Sequence, residues 1–290
     1  MVSPGLRPSS QPFVRLSGPA HQVAESLGPL ADLVGTWFGS KGWEIIAVPS
    51  VEPEPGQPGK TREGFRLIVR PYIEIITFVP IGAPVPNRGY PNDLFITGVQ
   101  YEMRITDAET NQPLHLEVGM WLYMPGQDQA IARSATVPHG DSLLALGNAL
   151  TLNGKPTIPK LDVIPDIGGR KAGYTDPYIR LPPPATFEAK NVSQPLQDAI
   201  AKQTITETAQ LQISTANGGG VLNIPFVTAQ ANTTAFACSY WIETITTESG
   251  DKVQQLQYLQ QSNLNFIKQF NPSGDLIMWP HVNLNTLQKQ

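Results

Sequence analysis

The histidines are the residues of this chain whose chemistry is easiest to assign to a site. There are four of them, and His281 stands out because it lies within a strand-like segment, LIMWPHVNLNTLQ (276–288). A neutral imidazole donates a lone pair near pH 7, so His281 is a candidate axial ligand for heme iron. A histidine on a strand is more often a structural residue, and at this point both interpretations stay open.

The other candidates for metal or heme ligation have simpler expected roles. His21 is expected to be solvated, His115 to pair with Glu117 or with solvent, and His139 to make local hydrogen bonds in the turn VPHGD. Cys238 is the single cysteine, and a small buried apolar role is favoured over a heme thiolate. The sequence has no His and carboxylate cluster at metal-ligand spacing.

Composition excludes several classes of function. The 290 residues include 20 basic and 24 acidic side chains, a net charge of −4, with no basic patch that would indicate nucleic-acid binding. No apolar run is long enough to span a membrane, and no secretory leader is expected. One cysteine forms no internal disulfide, so we expect a soluble cytoplasmic protein. The common phosphate-loop, dinucleotide, serine-hydrolase and zinc-protease motifs are missing.

The hydrophobic pattern predicts an all-β protein. The 28 prolines separate short segments that are rich in Val, Ile, Thr and aromatic residues. The predicted strands cover 35–48, 64–79, 94–106, 112–124, 130–137, 142–152, 205–215, 219–230, 233–247, 252–264 and 276–287. The turns 106–113 and 246–252 predict hairpins. An antiparallel up-and-down β-barrel of about 8–10 strands is the best fit.

Helices and loops complete this prediction. A short helix is expected in 191–203, capped by Ser193 with Pro195 in its first turn, and one or two helical turns are expected in 20–35. The NGGGV segment (217–221) is interpreted as a turn. Residues 1–29 form a lead-in, and 30–290 form one barrel domain with a Pro/Gly-rich insertion at about 153–203.

Three short segments resemble a known superfamily. LADLVGTWFGSKGWEIIAV (30–48) has the G-x-W of the calycins, which include lipocalins and fatty-acid-binding proteins, with Gly35 and Trp37 in those places. PLHLEVGMW (113–121) resembles the H-x-E-x-G segment of nitrobindin-like heme-binding barrels. The third segment, WPHVNLNTLQK (279–289), places His281 where those proteins carry the proximal heme histidine on the last strand.

The resemblance implies heme b with His281 as iron ligand, and a small ligand such as nitric oxide, peroxynitrite or peroxide. Activities that go with this family are gas binding, peroxynitrite isomerisation and weak peroxidase-like chemistry. Strand alternation places Trp279, His281, Asn283 and Asn285 on one face of the last strand, and Met278, Val282 and Leu284 on the other. The residues expected near the heme are Trp37, Phe38, Trp121, Tyr240 and Leu284. Nitrobindins are shorter, and 48–63, 80–93 and 153–203 are additions here.

Two other functions remain open. A heme-free barrel could carry a fatty acid or another apolar molecule, and one of four arginines would meet its carboxylate: Arg66, Arg70, Arg104 or Arg133. A cofactor-free isomerase or cyclase would use Glu117, His115 and Tyr101, with the proline-rich loops as a lid. Expected partners are therefore heme or an apolar small molecule, without nucleic acid and without a membrane span, and the chain could form a homodimer.

Overall fold

The computed structural model describes residues 25–54 and 56–290. Most of the predicted lead-in, with His21, lies outside this range. The strands are β1 (Gly35–Pro53), β2 (Thr61–Pro80), β3 (Val85–Asn87), β4 (Leu94–Asp107), β5 (Pro113–Tyr123), β6 (Ile131–Val137), β7 (Asp141–Asn153), β8 (Thr204–Asn223), β9 (Asn232–Thr246), β10 (Lys252–Lys268) and β11 (Leu276–Lys289). The helices are α1 (Asp176–Ile179), α2 (Gln194–Ala201) and α3 (Pro225–Ala231), with 3₁₀ turns at Gly28–Leu33 and Ala189–Asn191.

Ten of these strands form a closed antiparallel meander. Each strand pairs with the next along the chain, except that β2 pairs with β4 and β3 joins only the edge of β4. The barrel closes where β1 pairs with β11, with Trp43 opposite Leu284 and Ile45 opposite Val282. The predicted all-β barrel is therefore confirmed, at the upper end of the expected strand number.

One end of the barrel is closed by an apolar plug. The 3₁₀ turn Gly28–Leu33 packs Leu30 and Leu33 against Trp37, and all three side chains are fully buried. The Trp37 indole Nε1 donates a hydrogen bond of 2.7 Å to the Leu33 carbonyl. Gly35 has a φ of 124°, a conformation that residues with a side chain rarely adopt. In the G-x-W pattern, Gly35 thus allows the backbone conformation at the start of β1, and Trp37 closes the end of the barrel.

The segment between β7 and β8, residues 154–203, covers part of the outer wall. It packs on the apolar outer faces of β1, β2, β9, β10 and β11, in one cluster with Ile45, Val282 and Leu284. Phe187 meets Trp43 edge-on at 5.1 Å between ring centroids. The closing seam of the barrel is therefore buried under this segment, which we call the covering segment.

The chain departs from the prediction between residues 217 and 231. The expected turn at 217–221 is wrong, because β8 runs through it to Asn223; residues 215–218 have no partner on β7, and the pairing resumes at Gly219. Gly219, at φ 90°, pairs with Ala145 in this bulge. The predicted strand 219–230 is also wrong in its second half, where Pro225 begins helix α3. Proline lacks an amide hydrogen and suits the first turn of a helix.

Helix α2 confirms the helix predicted in 191–203, but its start differs. Ser193 has helical backbone angles, φ −77° and ψ −5°, and its side chain makes no capping hydrogen bond. A capping side chain needs an extended backbone to reach the amides of the first turn, so the predicted Ser193 cap is wrong. Within the described residues, no helix is long and apolar enough to cross a membrane.

Candidate functional site

The barrel contains a cavity of about 340 Å³. Small-molecule sites commonly measure about 300–1,000 Å³. The cavity begins at Glu44 of β1, beyond the plug around Trp37, and α3 contributes Val227 and Ala231 to its wall. Most of the lining is apolar: Ile46, Val48, Met103, Ile105, Leu114, Val137, Leu143, Val221, Phe236 and Leu264.

Three imidazoles line this cavity, from His115, His139 and His281. The side chains of His115 and His281 are each 23% exposed, so solvent reaches both rings. The rings of His115 and His139 stack with 5.2 Å between centroids. Burial, followed by the nearby His115, lowers the pKa of His139 below its usual value. His139 is therefore neutral at pH 7 and presents one donor and one acceptor nitrogen.

His281 belongs to a short polar chain across neighbouring strands. Its Nε2 lies 3.3 Å from Oε1 of Glu44, and Arg70 Nε donates to the other carboxylate oxygen at 2.6 Å. Burial by itself raises the pKa of Glu44, but His281 and then Arg70 outweigh it and lower the pKa to about 2. The ionised Glu44 can only accept, so Nε2 of His281 donates to it, and Nδ1 is the ring nitrogen left for another partner.

A second polar network begins at His115. Its Nε2 lies 3.3 Å from Oε2 of Glu117, whose Oε1 accepts from Arg133 Nη2 at 2.5 Å and from the Tyr101 hydroxyl. Arg133 also donates to Tyr101 and to Gln260 Oε1, at 2.8 and 3.0 Å. Burial raises the pKa of Glu117, but Arg133, then His115, outweigh it and lower it to about 2. Glu117 and Arg133 thus form a fully buried ion pair beside the cavity.

The carboxyl group of Glu74 is buried next to Tyr72 and Tyr258, which both line the cavity. Glu74 Oε2 accepts hydrogen bonds from the Tyr258 hydroxyl at 2.8 Å and from Asn285 Nδ2 at 2.9 Å. The Tyr72 and Tyr258 hydroxyl oxygens lie 2.7 Å apart. Glu74 Oε1 has no hydrogen-bond partner among the described residues. Burial, only partly offset by Asn285 and Tyr258, raises the pKa of Glu74 to about 7.

Comparison with known protein families finds a match to the first part of this chain. Residues 26–158 match the model of the THAP4-like, heme-binding beta-barrel domain. Together with the closed barrel, the match confirms the resemblance to calycin-like heme-binding barrels and supports heme as the cofactor. The matched range contains His115, Glu117 and His139. It ends before β8, so His281 and β8–β11 lie outside it.

Solved structures and curated proteins add little to this match. The crystal structure of Rv2717c from M. tuberculosis aligns over 92% of this chain and 97% of its own, at 16% identity and a TM-score of 0.42. No curated protein matches the chain. Among the described residues, no three His, Cys, Asp or Glu side chains are grouped so that they could hold a metal ion.

The barrel places the predicted site residues in four different environments. His281 lines the cavity. Trp37, Trp121 and Tyr240 are buried in the barrel core but are not part of the cavity lining. Phe38 is 38% exposed, and Leu284 is buried under the covering segment, so neither faces the barrel interior.

The predicted alternation on β11 also changes within the strand. Trp279 packs in the same cluster as Val282 and Leu284, on the outer side of the barrel, although His281 faces inward. The prediction that Trp279 shares the face of His281 is wrong, because the alternation shifts by one residue around Pro280. Asn283 lines the cavity with His281, as alternation predicts.

The structure also shows where the residues considered for the two alternative functions lie relative to the cavity. Of the four candidate arginines only Arg70 lines the cavity. Arg66 and Arg104 are exposed, and Arg133 is paired with Glu117. His115, Glu117 and Tyr101 do come together. The expected lid is not formed by 153–203, since no residue of the covering segment lines the cavity.

Glu44 and Glu74 escaped the sequence analysis, although a signal for them exists. Glu44 is in phase with Ile46 and Val48, and Glu74 is in phase with Ile76, so strand alternation places each carboxyl group on the same face as these apolar residues. A charged residue at an inward position is a recognised pointer to function or to a buried pair.

Proposed function

We propose that this chain binds heme b in the barrel cavity, that His281 coordinates the iron, and that the protein binds or transforms a small ligand such as nitric oxide, peroxynitrite or peroxide. The observation that carries the proposal is the position of His281, whose imidazole lines an apolar cavity while a carboxylate holds its other nitrogen. Histidines that ligate metals usually have such an acceptor, which fixes the tautomer and the ring orientation.

The residues of the cavity suit a porphyrin in one respect. The apolar side chains of the wall match an apolar macrocycle, and Tyr72, Phe236 and Tyr258 add aromatic surface. Arg70 lies in the same lining, but Glu44 is already its carboxylate partner. Heme held by His281 would supply an iron atom that can bind a small ligand.

His115 and His139 would act on that small ligand. Both rings face the cavity, and the neutral His139 can donate or accept one hydrogen bond. His115 is oriented by Glu117, which Arg133 holds in place. This arrangement offers a positioned hydrogen-bonding wall for a polar diatomic or a peroxide, and it is the basis for proposing binding or transformation instead of storage of heme alone.

Titration of the purified protein with hemin tests the proposal. We expect a Soret band at one hemin per chain for wild type. For His281→Ala we expect the band to shift and hemin affinity to fall by at least about 100-fold, since even the loss of an outer partner of a ligand costs about 10–100-fold. The measurement is absorbance during titration, supported by the electron paramagnetic resonance of the ferric protein.

The other cavity histidines provide matched controls for this titration. His115→Ala and His139→Ala remove an imidazole from the same lining and should leave the Soret position unchanged. If one of them loses the band and His281→Ala retains it, the iron ligand is misassigned while heme binding stands. If wild type gives no Soret band after reconstitution, the heme proposal is wrong.

A second candidate function is transport of an apolar acid without heme, and the position of Arg70 in the lining favours it. The ion pair with Glu44 weakens this candidate, because Arg70 already has a carboxylate partner. Displacement of a fluorescent fatty acid by hemin separates the two functions. Tight fatty-acid binding that hemin does not displace, and that Arg70→Met abolishes, would favour the carrier.

A further inference from the structure

Tyr258 connects the cavity to a buried carboxyl group. Its side chain lines the cavity, and its hydroxyl donates a hydrogen bond of 2.8 Å to Oε2 of Glu74, which is fully buried. Asn285 donates to the same oxygen at 2.9 Å and holds the carboxyl group in position. A carboxylate placed in this way can take a proton from a group while that group reacts.

The surroundings of Tyr258 favour the loss of an electron and a proton together. Loss of the electron alone would leave a positively charged ring in the core, which is costly. Loss of the proton alone is also unfavourable, because burial and then Glu74 raise the pKa of Tyr258 well above its usual value. Burial raises the pKa of Glu74 to about 7, so its carboxylate takes up a proton readily. When both leave Tyr258, the pair changes from one buried negative charge to none.

The neighbouring aromatic rings lack such an acceptor. Tyr240 packs on Tyr258 with 5.3 Å between ring centroids, and Trp121 packs on Tyr240 at 5.0 Å. The Tyr240 hydroxyl and the Trp121 indole nitrogen have no hydrogen-bond partner among the described residues. The guanidinium of Arg133 lies 5.8 and 5.7 Å from these two rings, and a nearby cation opposes the loss of an electron. An oxidised Tyr258 therefore keeps the electron vacancy instead of passing it into the core.

Tyr101 provides a comparison within the same barrel. Its hydroxyl also donates to a buried carboxylate, that of Glu117. Burial raises the pKa of Glu117, but Arg133 and then His115 outweigh it and lower the pKa to about 2, so this carboxylate is a poor proton acceptor. Tyr101 is also not part of the cavity lining. Of these two tyrosine–carboxylate pairs, only that of Tyr258 combines contact with the cavity and a ready proton acceptor.

We propose that Tyr258 is a redox-active tyrosine that reduces a one-electron oxidant formed from hydrogen peroxide in the cavity. The phenol gives one electron to the oxidant and its proton to Oε2 of Glu74, which leaves a neutral tyrosyl radical and a carboxylic acid. This inference rests on the proposed function, because peroxide acting at bound heme supplies the oxidant. Met103 lines the same cavity, and its thioether is open to oxidation to the sulfoxide. An electron from Tyr258 would spare it.

Electron paramagnetic resonance of rapidly frozen samples tests the inference. The chain is loaded with hemin, its Soret band is recorded, and hydrogen peroxide is added at pH 8, where Glu74 is ionised. Wild type should give the signal of a neutral tyrosyl radical, and the radical should form more slowly in D2O. Tyr258→Phe should lose the signal, and sulfoxide at Met103, measured by mass spectrometry, should increase. Glu74→Gln cannot take the proton, so radical formation should slow by at least about 100-fold.

Tyr72→Phe is the matched control for Tyr258→Phe. It removes a second hydroxyl from the same lining but leaves the hydrogen bond between Tyr258 and Glu74, so it should retain the radical. Circular dichroism checks that every variant remains folded. Where the Soret band forms, a wild-type chain without the radical, or a Tyr258→Phe chain that keeps it, would overturn the inference.

A measurement on the heme-free chain separates this inference from the proposed function. Azidyl radicals made by pulse radiolysis are small one-electron oxidants that need no heme. Tyr90 is 99% exposed and would react first, so both proteins carry Tyr90→Phe in addition. If no Soret band forms but a tyrosyl radical still depends on Tyr258, the heme proposal is wrong and the redox role of Tyr258 stands. If no radical depends on Tyr258 here either, the redox role is wrong as well.

Discussion

Replacement of Arg133 by methionine is expected to lower the free energy of unfolding by about 3–5 kcal/mol, the usual cost of removing one member of a buried ion pair. The guanidinium is fully buried and binds Glu117, Tyr101 and Gln260. Methionine fills much of the same volume, so the loss is mainly electrostatic. Without its cation, Glu117 would have to stay charged in the core or take up a proton, and either change costs stability. The measurement is urea unfolding followed by tryptophan fluorescence.

Two controls separate this effect from a general sensitivity to mutation. Arg88→Met removes an arginine that is 80% exposed and ion-paired with Asp93, and it should change stability by less than about 1 kcal/mol. Arg133→Met combined with Glu117→Gln removes both buried charges and should recover a large part of the loss. An Arg133→Met protein as stable as wild type would mean that the ion pair contributes nothing to the fold.

Replacement of Glu74 by glutamine is expected to change how stability depends on pH. Burial raises the pKa of Glu74 to about 7, against 4.5 for an ordinary glutamate, so the folded protein keeps a proton that the unfolded chain releases. That contribution to stability is lost as pH rises through 7. Glutamine does not titrate. From pH 5 to pH 8, the free energy of unfolding of Glu74→Gln should therefore rise by about 2–3 kcal/mol relative to that of wild type.

Chemical denaturation at pH 5, 6, 7 and 8 measures this relative gain. Glu117→Gln is the matched control: the pKa of Glu117 is about 2, so its removal should lower stability by the same amount at each pH. Glu243 also has a pKa raised by burial to about 7, but it is present in both proteins and cancels in the difference. A constant difference between Glu74→Gln and wild type would show that Glu74 is ionised throughout.

The fold was predictable because its signals are local. Proline and glycine punctuation, hairpin turns and β-branched segments identify most strands, and Trp37 with Gly35 identifies the closed end. The predicted secondary structure is wrong where one local sequence signal is compatible with two structures. The glycines around Gly219 can end a strand or allow a bulge, and only pairing with β7 decides for the bulge.

The candidate site was predictable only in part, because its surroundings depend on strands that are distant in sequence. His281 could be singled out, but its partner Glu44 lies at the other end of the barrel sequence and meets it only through the pairing of β1 with β11. Phe38 and Leu284 were expected near the cofactor on the strength of apolar character. Apolar character does not distinguish the barrel interior from an outer wall that another segment covers.

The closing seam also has a consequence for the order of folding. Glu44 and His281 reach each other only after β1 has paired with β11, the contact of greatest sequence separation in the barrel. Contacts of this kind form slowly, because a long stretch of chain must be ordered first. On a ribosome, the cavity would therefore form only after β11 had emerged, and cofactor loading would follow synthesis instead of guiding it.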